Sequence, residues 1–111
     1  MLEFKYYRIL KRNRELFNGA FEIAAKIKSR AEGVFKDCKV YIVGSFARNS
    51  YTLSSDLDIL IVSDEVPEKF EFEWYSKIVK MLTDDERVNI HLWNRGKFKN
   101  VEKLYCPRIP V

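Results

Sequence analysis

The chain has 111 residues, of which 47% are hydrophobic and 32% charged, and its net charge is +4. These fractions exclude an intrinsically disordered chain, and the length favours a single domain. The small positive charge favours anionic partners but supports a nucleic-acid-binding module only weakly. Because no apolar run approaches about 18 residues and the N-terminus does not resemble a signal peptide, we expect a cytoplasmic protein without a membrane span.

A long amphipathic helix is predicted for residues 3 to about 32. The segment contains no proline, and Gly33 suits its C-terminal end. Its apolar residues recur at spacings of three, four and seven: Leu10, Phe17, Phe21, Ala24, Ile27 and Ala31. We expect this helix to pack on a sheet and to carry no chemistry.

Strands are predicted at residues 39–43, 57–63 and 87–93. The first two are apolar on both faces, as buried strands are. The third alternates, so that Val88, Ile90 and Leu92 face one way and Asn89, His91 and Trp93 the other. Between the second and third strands, a helical stripe comprises Phe70, Trp74, Ile78 and Leu82.

The C-terminal region predicts a last helix over residues 94–105, resting on Phe98, Val101 and either Leu104 or Tyr105. Pro107 and Pro110 then predict a loose tail. The whole order predicts an α+β (α/β-like) fold in which a small mixed β-sheet packs against helices. We divide this single domain into an N-terminal helix (1–33), a sheet core (39–93) and a C-terminal helix and tail (94–111).

Two carboxylates stand at the start of the second strand. Asp56 and Asp58 are separated by one residue, so an extended backbone points both side chains the same way, with Cα atoms roughly 6.5 Å apart. Such a pair suits Mg²⁺, which carboxylates and phosphate oxygens bind together. Taken alone, the pair is more simply explained by solvation at an exposed strand end.

A glycine-serine turn precedes the carboxylates. Gly44 follows a buried strand and lets the backbone approach a ligand closely, and Ser45 is a candidate N-cap for a short helical turn through Arg48. Backbone amides at such a turn suit phosphate oxygens. Together, the turn and the carboxylate pair predict a site for a nucleoside triphosphate and Mg²⁺.

The stretch Gly44-Ser45-Phe46-Ala47-Arg48-Asn49, followed by Ser55-Asp56-Leu57-Asp58, resembles the signature of polymerase-beta-type nucleotidyltransferases, and especially their minimal single-domain (MNT) group. That signature is G-S-x-A-x-G followed by S-D-x-D, with twelve positions from the first glycine to the first aspartate, and this chain keeps the spacing. The resemblance implies a nucleotidyltransferase fold and the transfer of a nucleoside monophosphate, AMP from ATP, to a hydroxyl of a protein or RNA.

The same resemblance implies roles for individual residues and a partner. The nucleotide-binding candidates are Gly44, Ser45, Asn49 and Ser55, and the ligands of Mg²⁺ are Asp56 and Asp58, the pair that also carries catalysis. Many minimal members are antitoxins of HEPN-type toxins, so a protein of that kind is the implied partner.

Two positions depart from the family pattern. The second glycine of the signature is Asn49 here, and asparagine tolerates the left-handed backbone conformation better than most residues. The third carboxylate of the family matches Asn89, whose neutral amide is a weaker metal ligand and no general base. His91 lies on the same strand face and is a candidate base, with a structural histidine as the alternative. A catalytically weakened protein that neutralises a partner by binding therefore remains the second hypothesis.

Overall fold

A computed structural model describes the backbone of residues 2–111, and the side chains of all of these except residues 2–7, 9, 10 and 13. In chain order its elements are α1 (Leu2–Val34), β1 (Cys38–Val43), α2 (Gly44–Ala47), β2 (Leu57–Ser63), α3 (Phe72–Leu82), β3 (Val88–Asn94), α4 (Arg95–Phe98), a 3-10 helix (Glu102–Tyr105) and β4 (Ile109–Pro110). The predicted α+β class is confirmed. No helix in the described part of the chain is long and apolar enough to cross a membrane.

The four strands form one mixed sheet in the order β3-β2-β1-β4. β1 runs antiparallel to both β2 and β4, whereas β2 and β3 are parallel. A parallel pair needs a crossover connection, and the segment containing α3 supplies it. The end of β1 and the starts of β2 and β3 consequently meet at one end of the sheet, where Asp58 lies opposite both Val43 and Asn89.

One face of the sheet packs against α1 and α3. The inward residues of α1 are Ala20, Ala24, Ile27 and Ala31, whose spacing of three and four confirms the predicted helix. Phe21 was wrongly predicted to be part of this stripe: it is 38% exposed, because Ala20 occupies the inward position one residue earlier. The side chain of Leu10 lies outside the described residues. In the second helical stripe, Phe70 precedes α3 and is partly exposed.

The opposite face is covered by the C-terminal segment. Its small core comprises Val43, Leu60, Val62 and Phe98, with Tyr41, Trp93, Val101 and Tyr105 packed around it. The predicted single helix over residues 94–105 is wrong, since two short helical pieces replace it. The amides of Asn100 and Val101 donate to the carbonyls of Lys97 and Phe98, so the chain turns where a helix would continue.

The predicted loose tail is also wrong, because residues 109–110 form the fourth strand. Ile109 pairs with Ile42 of β1, and the amide of Val111 donates to the carbonyl of Val40 over 2.9 Å. Without β4, β1 would be an edge strand with unpaired backbone groups. Pro110 is compatible with this position because the new strand lies at the sheet edge.

Candidate functional site

Asp58 lies at the end of the sheet where three strands meet. Its side chain is 26% exposed, and its Oδ1 accepts a hydrogen bond from Nδ2 of Asn89 over 3.4 Å. The same oxygen lies 3.2 Å from Nε2 of His91. Both donors come from β3, because the parallel register places Asn89 opposite Asp58 and His91 opposite Leu60. One carboxylate oxygen of Asp58 is therefore held by protein, and the other is left to face the turn after β1.

Gly44 provides the space for that second oxygen. Its φ is +70°, and a Cβ built at this position would lie 2.3 Å from Oδ2 of Asp58. Any side chain here would therefore displace the carboxylate as well as strain the backbone. The sequence suggested that Gly44 leaves space for a ligand. The structure shows that the missing side chain leaves space for the carboxylate of Asp58.

The helical turn α2 ends in a way that explains Asn49. The amide of Asn49 donates to the carbonyl of Phe46 over 3.3 Å, and the amide of Ser50 donates to the carbonyl of Ser45 over 2.9 Å. Asn49 has a φ of 58°, so these two bonds form a Schellman C-cap with a left-handed asparagine in the usual glycine position. The prediction that Ser45 caps the N-terminus is wrong: α2 begins at Gly44 after Val43, with no side-chain cap.

We expect Asn49→Ala to lower the free energy of unfolding by about 1 kcal/mol, because alanine tolerates the left-handed region less well than asparagine. Asn49→Gly should leave stability unchanged or raise it slightly. Denaturant unfolding of both variants measures the difference, with Asn100→Ala as the control at an exposed asparagine of negative φ. Equal stability of Asn49→Ala and the natural chain would contradict this explanation of the turn.

Hydroxyl groups shape the loop that leads to Asp56. Oγ of Ser55 accepts from the amide of Thr52 over 2.7 Å, and Oγ1 of Thr52 lies 3.1 Å from Oγ of Ser54. Ser55 thus helps to fix the loop immediately before the carboxylate pair. Asp56 is exposed and has no hydrogen-bond or ion-pair partner among the described residues, so its oxygens are available to a ligand.

Two aromatic residues that the sequence did not assign to the site, Trp93 and Tyr105, extend it behind His91. The hydroxyl of Tyr105 lies 3.3 Å from Nδ1 of His91, and Nε1 of Trp93 donates to that hydroxyl over 2.9 Å. Trp93 shares a strand face with His91, which is a signal that the sequence contains. Tyr105 comes from the C-terminal segment, and no sequence spacing links it to His91.

The donor set fits a hard cation such as Mg²⁺. Oδ2 of Asp58 and the free carboxylate of Asp56 are oxygen ligands, and the fit is completed by substrate phosphate oxygens. In the described part of the chain, no group of three or more His, Cys, Asp and Glu side chains has the geometry of a metal site. Asn89, which lies opposite Asp58 in the parallel register, donates a hydrogen bond to Asp58.

A cavity of about 330 Å³ lies between α1 and the loop before β2, and its lining includes Ser55 and Leu57, the residues on either side of Asp56. Leu57 and Val88 line it on the face of the sheet that packs against α1, together with Gly19 and Phe46. Asp58 follows Leu57 and points to the opposite face, towards His91 and the C-terminal segment. The cavity therefore adjoins the loop that carries Ser55, whereas the side chain of Asp58 lies on the other face of the sheet.

Comparisons with known proteins bear on the family and the fold of the chain. The sequence model of the nucleotidyltransferase domain matches residues 22–109. A crystal structure of a candidate nucleotidyltransferase from Sulfolobus solfataricus is similar in fold, with a TM-score of 0.71, 22% sequence identity, and coverage of 88% of this chain and 84% of that chain. No significant match was found among curated proteins.

Proposed function

The chain belongs to the nucleotidyltransferase domain family, and on that premise we propose that it transfers a nucleoside monophosphate, AMP from ATP, to a hydroxyl of a protein or RNA. The single observation that carries the proposal is the environment of Asp58. Its Oδ1 is held by Asn89 and His91, its Oδ2 faces Gly44, and Asp56 stands beside it without a partner among the described residues. This arrangement leaves one oxygen of Asp58 and the carboxylate of Asp56, two residues away in sequence, without protein partners among the described residues, which supports a metal–nucleotide site.

In the proposed reaction, Asp56 and Asp58 hold Mg²⁺, while the turn at Gly44 and Ser45 binds the triphosphate. Asn49 and Ser55 act by fixing the two segments that carry these residues. Bound Mg²⁺ supplies neutralisation of phosphate charge and polarisation of the α-phosphate. The acceptor oxygen forms a bond to the α-phosphorus, the bond to the bridging oxygen breaks, pyrophosphate leaves, and the hydroxyl proton passes to the solvent around Asp56.

The position of the label tests this reaction. The protein is incubated with Mg²⁺, total RNA or the protein encoded by the neighbouring gene, and ATP labelled at either the α- or the γ-phosphate. We expect α-label on the macromolecule, γ-label in pyrophosphate, and no transfer in EDTA. Asp64→Asn is the control, because Asp64 is an exposed carboxylate beyond the other end of β2. Transfer of γ-label, or transfer that persists in EDTA, would contradict the proposal.

The resemblance to the minimal nucleotidyltransferase group supports a finer proposal about biology. We propose that the chain is a cytoplasmic antitoxin whose partner is a HEPN-type toxin and that the toxin, or RNA, accepts the nucleotide. The second candidate function is neutralisation of that partner by binding alone, which Asn89 favours because it removes a carboxylate. A stable complex that inhibits the toxin without any label transfer would favour this second function.

We expect Asn89→Asp to raise the rate of transfer about tenfold or more, because it adds a carboxylate opposite Asp58 and so a further metal ligand. Without a cation, the added charge should repel Asp58, so Mg²⁺ should raise the melting temperature more in the variant than in the natural chain.

Initial rates and thermal unfolding with and without Mg²⁺ measure these two effects. Asn100→Asp makes the same chemical change at an exposed residue and is the control. An unchanged rate together with an unchanged response to Mg²⁺ would show that Asn89 does not occupy the position of the third carboxylate.

A further inference from the structure

We infer that Tyr105 is a positioning residue for Asp58 and acts through His91. The structure shows a continuous line of hydrogen bonds from Trp93 through Tyr105 and His91 to Oδ1 of Asp58, with distances of 2.9, 3.3 and 3.2 Å. The inference rests on the proposed function only in that Asp58 must have a cation to bind.

The chemistry of the four groups determines which atom donates in each hydrogen bond. The indole N–H of Trp93 can only donate, so the oxygen of Tyr105 accepts. The hydroxyl proton of Tyr105 is then available for Nδ1 of His91. A neutral imidazole that accepts at Nδ1 carries its proton on Nε2, and that N–H points at the ionised carboxylate of Asp58, which can only accept. Every donor in the line meets an acceptor.

The packing around Tyr105 keeps its hydroxyl in place. The ring is half-buried and lies against three other rings, with centroid distances of 5.5 Å to His91, 5.8 Å to Phe98 and 6.4 Å to Trp93. The rings of His91 and Trp93 meet it edge-on, at 77° and 71°. The hydroxyl of Tyr105 therefore connects the C-terminal segment, which covers the face of the sheet opposite α1 and α3, to the carboxylate site.

These hydrogen bonds determine which oxygen of Asp58 is left for a cation. Because Oδ1 of Asp58 is occupied by His91 and Asn89, Oδ2 remains directed at Gly44 and is the oxygen offered to a cation. Partners that orient a metal ligand in this way typically change metal affinity by 10–100-fold when they are removed. Both ring nitrogens of His91 are engaged, so its role is that of a donor to Asp58, and the structure does not favour the alternative of a general base.

The single histidine of the chain makes this inference directly measurable. In ¹⁵N-labelled protein at pH 8.5, where free imidazole is neutral, we expect the ring signals of the Nε2–H tautomer. Tyr105→Phe removes only the hydroxyl, so Asp58 should keep the proton on Nε2 while the Nδ1 signal moves towards that of a nitrogen without a hydrogen bond. The same variant should weaken Mn²⁺ binding, followed by electron paramagnetic resonance, about tenfold. Neither measurement requires turnover, so an inactive protein would refute the proposed function and leave this inference standing.

Two further variants separate positioning from packing. Tyr41→Phe is the control, since the Tyr41 ring lies on the same face under Arg108 and its hydroxyl has no partner among the described residues. It should leave the Nδ1 signal and the Mn²⁺ affinity unchanged. Trp93→Phe removes the donor at the far end and so weakens the Tyr105 hydroxyl as a donor, and the Nδ1 signal should move in the same direction even if Tyr105→Phe does not fold. An Nδ1–H tautomer in the natural chain, no Mn²⁺ binding, or an Nδ1 signal that stays the same in a folded Tyr105→Phe or Trp93→Phe variant would overturn the inference.

Discussion

Asp58→Asn is expected to lower the rate of nucleotidyl transfer by at least about a hundredfold while the protein remains folded. The amide has the same shape as the carboxylate, so its oxygen can still accept from Asn89 and His91. Its NH₂ group then takes the place of Oδ2 beside Gly44, where it repels a cation. The substitution thus removes one metal ligand without removing the contacts that stabilise the strand ends.

Rates with labelled ATP and the affinity for Mn²⁺ measure the effect, and thermal unfolding shows that the fold is intact. Asp64→Asn is the matched control, because Asp64 pairs with Arg95 on the surface, away from the turn after β1. Asp56→Asn should also lower both quantities, since Asp56 has no other partner among the described residues. If Asp58→Asn retained full transfer and full Mn²⁺ affinity, the metal site would have to be elsewhere.

Local sequence pattern was sufficient where one face of an element packs against the core. The alternation of Val88, Ile90 and Leu92 predicted β3 because this face is buried against α1 and α3, and the repeat of Ala24, Ile27 and Ala31 predicted α1 for the same reason. The nucleotide motif was equally visible, since Gly44 and Asp58 meet across a single antiparallel pair of neighbouring strands.

Features that depend on distant parts of the chain could not be predicted in this way. Ile109 and Pro110 look like a tail, and only the open edge of β1 makes them a strand. Tyr105 appeared as one of two candidates for a helical core position, because nothing local shows that its hydroxyl meets His91 fourteen residues earlier. The N-cap role assigned to Ser45 failed because the left-handed Gly44 already starts the helical turn.

The parallel pairing of β2 and β3 brings residues from a distant part of the chain to the locally visible Gly44–Asp58 motif. It sets Asn89 opposite Asp58 and brings His91 within hydrogen-bonding distance, so β3 supplies two donors to Asp58. A charge-assisted hydrogen bond is stronger than a neutral one, and two of them fix the carboxylate well. Asn89 and His91 together therefore fix the orientation of the Asp58 carboxylate.

Gly44→Ala should be the most damaging single substitution outside the carboxylates. The left-handed backbone costs alanine about 1–2 kcal/mol, and its Cβ would lie 2.3 Å from Oδ2 and 3.0 Å from Cγ of Asp58. Relief of this contact requires the carboxylate to leave Asn89 and His91, so we expect a total loss of about 2–3 kcal/mol in the free energy of unfolding. Transfer should fall to the level of Asp58→Asn, since the metal ligand is displaced.

A double-mutant cycle with Asp58→Ala distinguishes the two causes. In that background the clashing atoms Oδ2 and Cγ are absent, so Gly44→Ala should cost only the backbone term of about 1–2 kcal/mol, measured by denaturant unfolding. Gly19→Ala is the control, because no atom lies within 4 Å of a Cβ at that position in α1, and it should raise stability by up to about 1 kcal/mol. An equal cost of Gly44→Ala in both backgrounds would mean that Gly44 serves the turn alone and does not hold space for the carboxylate.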